Sequence, residues 1–159
     1  MKKKSCIILI IFIMFFVNNA VADIDALNQA YKEQYIKLNN ENNGLQLLIK
    51  IYSSCIEKIN ILDVRLLDLD EDIRTGQKYR RDTLQDRINI TENKIEILTS
   101  TLQVFNKYKN ENRSDISLDE IKIELELNRR RIKEIEDKKQ ELKIKILEKK
   151  GALPDWWKE

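Results

Sequence analysis

The 159-residue sequence contains no histidine, one proline, three glycines and two cysteines. Without histidine, the chain lacks the base that usually activates a serine or cysteine nucleophile, and it lacks the ligands of an ordinary zinc site. The scarcity of glycine and proline, together with 35% charged residues, is typical of long helices and coiled coils. We therefore expect no catalytic residues, no cofactor site and no metal site, and we predict that the protein is not an enzyme.

The amino-terminal segment has the three parts of a bacterial signal peptide. Lysines at 2–4 are followed by an uninterrupted apolar run at 7–17, and Ala-Val-Ala at 20–22 has the small-x-small pattern that signal peptidase recognises. The apolar run has 11 residues, whereas a membrane span needs about 20. We predict that 1–22 is removed on export to the periplasm or out of the cell. The alternative is an uncleaved segment that tethers the protein to the inner membrane.

Removal of 1–22 changes the charge and the thiol content of the chain. The loss of three lysines takes the basic count from 29 to 26 against 27 acidic residues, so the net charge goes from +2 to −1. A nucleic-acid binder needs a basic face that survives maturation, so nucleic acid is not an expected partner. Cys6 is also lost, which leaves Cys55 as the only thiol. Cys55 is either a buried, inert thiol or the site of an intermolecular disulfide, and non-reducing electrophoresis distinguishes the two.

A heptad repeat predicts one long helix from Ile24 to Ile73. Of its 15 seam positions, 13 are apolar or carry a large apolar body, which is typical of a helix packed against other helices. The Asn-rich stretch at 39–44 is unfavourable for a helix, but the register passes through it unshifted. We predict a hinge there, with a true turn as the alternative. The seam positions are Ile24, Leu27, Tyr31, Gln34, Leu38, Glu41, Leu45, Leu48, Tyr52, Cys55, Ile59, Leu62, Leu66, Leu69 and Ile73.

A tight helical hairpin is predicted within 74–83, with a stutter in one continuous helix as the alternative, and the second helix occupies 77–109. Gly76 can adopt the left-handed conformation that ends a helix, and the hairpin has no aliphatic residue. The second helix carries two neighbouring apolar stripes, which suits a helix that touches two neighbours. The first stripe is Leu84, Ile88, Ile95, Leu98, Leu102 and Phe105, and the second is Ile90, Ile97, Val104 and Tyr108.

A third helix, at 118–150, follows a short loop and begins at a capping box. Ser117 and Glu120 have the spacing at which each side chain can bond the other residue's backbone N–H. Ile116 and Ile121 occupy the two positions of the hydrophobic staple. Asn128 and Lys139 interrupt the apolar seam of this helix, and such polar positions can fix its register.

These segments predict an all-α fold, a long antiparallel coiled coil or three-helix bundle of up-down-up order with an extended first helix. The predicted organisation is a signal peptide at 1–22, a helical extension with its Asn-rich hinge at 23–44, the helical bundle at 45–150 and a non-helical aromatic tail at 151–159.

The tail, GALPDWWKE, contains both tryptophans and the only proline of the chain. Its glycine and proline are placed to end the third helix and to prevent its continuation. Leu153, Trp156 and Trp157 therefore leave the heptad register. They either fold back and cap the bundle or form a docking peptide for a protein partner, since tryptophan dominates interface hot spots. Anchoring at a membrane interface is a third interpretation.

With no catalytic constellation, the function is expected to reside in protein–protein contacts. We predict a structural or adaptor component of a bacterial cell-envelope assembly, such as secretion, conjugation or surface machinery, with a homo-oligomer through the heptad seam as a further option. The alternatives are a periplasmic holdase-type chaperone and a secreted helical effector or membrane-active protein.

Overall fold

The computed structural model describes the backbone of residues 2–76 and 80–157 and the side chains of 24–76 and 82–157. In these ranges the chain forms three helices and no strand: α1 (Lys2–Thr75), α2 (Arg80–Lys109) and α3 (Leu118–Lys150). The predicted all-α three-helix bundle with a long first helix and a non-helical tail is confirmed. The side chains of the predicted signal peptide and residues 77–79 of the predicted hairpin lie outside the described residues.

The chain is helical throughout the Asn-rich stretch at 39–44, so the alternative of a true turn there is wrong. Gly44 lies inside α1, where a glycine costs about 1 kcal/mol relative to alanine. Leu38 before the stretch and Leu45 after it are both buried. Burial of one leucine side chain stabilises by about 1.5–3 kcal/mol, so packing of the seam outweighs the poor local propensity.

The chain divides into two compact units, and each combines opposite halves of α1 and α3. Unit 1 is Met1–Asn42 with Glu134–Glu159, and unit 2 is Asn43–Lys133. In an up-down-up bundle the first and third helices are parallel, so their corresponding halves would share a unit. The observed grouping is that of antiparallel helices, as in the predicted antiparallel coiled coil, and differs from the parallel first and third helices of an up-down-up order.

The connection at 110–117 gives the physical reason for this order. Asn106 in the last turns of α2 donates from Nδ2 to the carbonyl of Arg113 over 2.8 Å, and its Oδ1 accepts from the Arg113 N–H over 3.2 Å. The connection thus folds back along α2 before α3 begins. Because the loop itself makes the reversal, α3 starts beside the end of α2, where Lys109 and Glu124 form a 2.8 Å ion pair.

Within unit 2, α1 and α2 are antiparallel. Asp70 pairs with Arg87 at 2.6 Å, and Asp63 pairs with Lys94. The two acids are one heptad apart on α1 and the two bases are one heptad apart on α2, in opposite chain directions. The core of unit 2 consists of Leu45, Leu48, Tyr52, Cys55, Ile59, Leu62 and Leu69 from α1, Leu102 and Phe105 from α2, and Ile116, Ile121 and Leu125.

The first predicted stripe of α2 is buried only toward its carboxyl end. Leu102 and Phe105 are buried, whereas Leu84, Ile88 and Ile95 are exposed. Because the start of α3 lies beside the end of α2, the two-neighbour environment applies only to that end. The predicted two neighbours are therefore found at the carboxyl end of α2 and not at its start.

Each helix ends at a residue with positive φ. Gly76 follows α1 with φ 70°, Asn110 follows α2 with φ 56° and Gly151 follows α3 with φ 74°. Glycine adopts this left-handed conformation without a Cβ clash, and asparagine tolerates it better than most residues. The positions of both glycines confirm the helix ends that the sequence predicts.

The predicted capping box at the start of α3 is confirmed. The Ser117 N–H donates to Glu120 Oε2 over 2.9 Å, and the Glu120 N–H donates to Ser117 Oγ over 3.2 Å. Arg113 donates to the other carboxylate oxygen of Glu120 over 2.7 Å. The bond from the Ser117 N–H, followed by the bonds from Arg113 and the Ser117 hydroxyl, lowers the pKa of Glu120 from 4.5 to about 2.

Replacement Glu120→Gln is expected to lower the melting temperature by an amount that depends on pH. The lowered pKa means that the carboxylate stabilises the fold above its ordinary value of 4.5, and this contribution is lost as the pH falls through about 2. Thermal unfolding followed by circular dichroism should show the difference from wild type at pH 7 and a smaller difference toward pH 2. A difference that does not change with pH would contradict this role.

Candidate functional site

The tail leaves α3 at Gly151 and forms a turn before the chain ends. The Gly151 N–H donates to the carbonyl of Leu147 over 2.7 Å, which completes the last helical bond. The Trp157 N–H then donates to the carbonyl of Pro154 over 2.9 Å, which closes a four-residue turn. Leu153, Trp156 and Trp157 are half-buried in this arrangement.

The turn places both indoles against Tyr35 of α1, inside unit 1. The ring centroids of Tyr35 and Trp157 are 4.5 Å apart, and those of Tyr35 and Trp156 are 5.6 Å apart. The two indoles are 6.3 Å from each other. These separations lie in the range of favourable aromatic contacts, each worth about 0.5–1.5 kcal/mol beyond the buried area. Tyr35, Trp156 and Trp157 form what we call the aromatic cluster.

The ammonium group of Lys139 on α3 lies beside the aromatic cluster. Its Nζ lies 5.4 Å from the centroid of the Tyr35 ring and donates to Asn39 Oδ1 over 2.7 Å. The ring face attracts the ammonium group, and the amide oxygen accepts one of its protons. Lys139, a predicted polar position in the seam of α3, is therefore bound by Asn39 and Tyr35 of α1.

The structure brings all three predicted site residues of the tail onto one part of unit 1. Leu153, Trp156 and Trp157 fold back on their own unit, while each keeps part of its surface in solvent. Sequence reasoning missed Asn39 as the partner of Lys139, because the two are 100 positions apart. It also placed Gln34 on the seam, whereas the neighbouring Tyr35 is the buried residue. The available signal was that tyrosine buries a large apolar ring, whereas glutamine is mostly found exposed.

Cys55 lies in the core of unit 2 and away from the tail in sequence. It is a free cysteine with 3% of its surface exposed. Such burial is typical of a small apolar packing residue. An intermolecular disulfide at this position would require its sulfur to leave the core.

The core of unit 2 contains buried polar groups. The hydroxyl of Tyr52 and the side-chain amide of Asn128 are buried and have no hydrogen-bond partner among the described residues. Burial first, and then the charge of Glu124 and the nearby Tyr108, raises the pKa of Tyr52 to about 12. A phenol with this pKa stays neutral at physiological pH. The described residues also contain no group of three or more His, Cys, Asp or Glu side chains placed to hold a metal ion.

Comparison of the chain with protein-family models, with curated proteins and with solved structures gave no match. Across the residues that the structure describes, no helix combines the length and apolar character needed to cross a membrane.

Replacement Tyr35→Leu is expected to move the tryptophan fluorescence of the protein to longer wavelength. Both tryptophans of the chain are in the tail, so the emission reports on the aromatic cluster alone. Leucine keeps most of the apolar volume but removes the ring contacts, which exposes the indoles to water. The control Tyr108→Leu removes a partly exposed tyrosine of unit 2 and should leave the emission unchanged. An unshifted spectrum for Tyr35→Leu would contradict the packing of the tail.

Proposed function

We propose that the protein is an exported, non-enzymatic component of a bacterial cell-envelope assembly and acts as a structural or adaptor protein. In this proposal 1–22 is a cleaved signal peptide, and the helices support a binding surface that recognises one defined protein partner. The partner-binding residues are Leu153, Trp156 and Trp157.

The observation that carries this proposal is the position of the tail on unit 1. The two indoles contact Tyr35 and each other, but each remains only half-buried. Large aromatic side chains with exposed faces are the residues that contribute most to interface hot spots. The contacts with Tyr35 also restrict the conformations of the tail before binding, which reduces the entropy lost when a partner docks.

Lys139 adds a charged group beside the aromatic cluster. Its ammonium is held by Asn39 and by the ring of Tyr35, and no salt bridge to a carboxylate is found for it in the described part of the chain. A partner that presents an apolar pocket with a carboxylate at its edge would complement both the indoles and this charge. We therefore expect the partner to carry such a pocket.

The test compares the wild-type protein with the double variant Trp156→Ala, Trp157→Ala in a pull-down from envelope extract. The variant should keep its helicity and lose only the modest stability of the ring contacts with Tyr35, but it should lose a partner that the wild type retains at fixed stoichiometry. The matched control is Tyr108→Ala, which removes a partly exposed aromatic ring from unit 2 and should retain the partner.

Three outcomes would contradict the proposal. Loss of helicity in the double variant, with a large fall in its melting temperature, would show that the indoles are core residues and not a binding surface. Suppression of aggregation of several unrelated client proteins, unchanged in the double variant, would favour a holdase-type chaperone. Release of dye from liposomes would favour the membrane-active alternative.

Export is tested by amino-terminal sequencing of the protein purified from the periplasm. A sequence that begins at Asp23 would support export with cleavage after Ala22.

A further inference from the structure

An open groove lies between α1 and α2 on one side of their shared seam, within unit 2. It encloses about 840 Å³, and its walls are formed by residues of 47–62 on α1 and 93–104 on α2. Its apolar lining is Leu47, Ile51, Ile61, Leu62, Ile97 and Val104.

The α1 wall of the groove is a second apolar face beside the buried seam. Leu47, Ile51, Ser54, Lys58 and Ile61 follow each other at steps of three and four residues, so they lie on one side of the helix. Leu47 is 60% exposed and Ile61 is 51% exposed, whereas the seam residues next to them are buried. The seam of α1 is thus buried by the other helices of the same chain, whereas the face that contains Leu47 and Ile61 remains exposed to solvent.

Small side chains occupy the middle of the groove. Ser54 and Cys55 lie midway along the α1 wall, and Ser100 and Thr101 lie opposite on the α2 wall. On the α1 wall, Leu47 and Ile61 are the bulky apolar residues nearest the two ends, and Ile51 lies between them. Helix backbones approach each other more closely where side chains are small, so the centre of the groove can accept a packed helix.

The charges on the two walls have opposite sign. The α1 wall carries Lys50 and Lys58, and the α2 wall carries Glu96. The Asp63–Lys94 ion pair sets the register of the walls, so Lys58 and Glu96 lie within about one helical turn of each other along the groove. A two-fold axis parallel to the groove leaves the position of each residue along the groove unchanged. It places the α1 wall of one copy over the α2 wall of the other. Lys58 of each copy then faces Glu96 of the other.

We propose that the occupant of this groove is a second copy of this chain, so that two α1–α2 pairs form a four-helix bundle with two-fold symmetry. The same surface serves on both copies, as an isologous interface requires. The alternative two-fold, perpendicular to the helices, would place α1 over α1 and set Lys50 of one copy against Lys58 of the other. Charge complementarity therefore selects the axis parallel to the groove. The dimer does not involve the tail and stands independently of the proposed docking function.

The test measures the dissociation constant of the full chain by analytical ultracentrifugation. The wild type should be a dimer, and Ile61→Glu should be monomeric because it places a charge on the apolar wall. The control Ile144→Glu changes a similarly exposed isoleucine of α3, 54% exposed and outside the groove, and should remain dimeric. All variants carry the same amino-terminal segment, so a difference between them arises in the groove. Circular dichroism confirms that helicity is kept.

A charge swap tests the symmetry of the interface. Lys58→Glu and Glu96→Lys should each raise the dissociation constant, by about tenfold for the two equivalent pairs that each variant reverses. The combined variant should restore the wild-type value, because each new glutamate faces a new lysine on the other copy. The proposal is overturned by a monomeric wild type, by a dimer that Ile61→Glu leaves intact, or by failure of the swap to restore binding. A different polypeptide bound to a monomeric chain would also overturn it.

Discussion

The structure depends on burial of the apolar seam of α1. In unit 2 this seam supplies most of the core, from Leu45 to Leu69. In unit 1, α1 supplies Leu38 from the seam and the neighbouring Tyr35. Because the heptad register continues through the Asn-rich stretch, packing on both sides keeps those residues helical despite their low propensity. The arrangement of α2, α3 and the tail then follows from which part of this seam each of them covers.

Helix ends determine how the remaining elements reach the seam. Left-handed residues stop all three helices, and the capping box starts α3 at a defined residue. The loop at 110–117 reverses the chain before α3 begins, so α3 covers a part of the seam that α2 does not fill. At the other end of α3, Gly151 and the turn at Pro154 return the tail to Tyr35. Few residues with special backbone conformations thus control the topology.

Local features of the fold were predictable from the sequence. The bounds of α3, its capping box, the glycines that end α1 and α3, and the continuous heptad register each rest on neighbouring residues or on a repeat. The direction of α3 was not predictable, because it depends on side-chain bonds from Asn106 to a loop that has no distinctive pattern. The exposure of the start of α2 was not predictable for the same reason, because it depends on where α3 lies.

The candidate site was predictable only in part. The composition of the tail indicated Leu153, Trp156 and Trp157, but nothing near them in sequence indicated their contact with Tyr35. The Asn39–Lys139 bond joins two residues that are each unfavourable in their own helix. Asn39 is a weak helix former, and Lys139 places a charge on an apolar seam. Long-range contacts of this kind appear only when the helices are placed side by side.

The central claim is that α1 is one helix whose packed seam holds the Asn-rich stretch in place. Amide hydrogen exchange of the native protein tests this most directly, since protection reports the free energy of local opening. Slow exchange that continues from Leu38 through 39–44 to Leu48 is the expected result. Rapid exchange confined to 39–44, at the rate of an unstructured turn, would contradict the account.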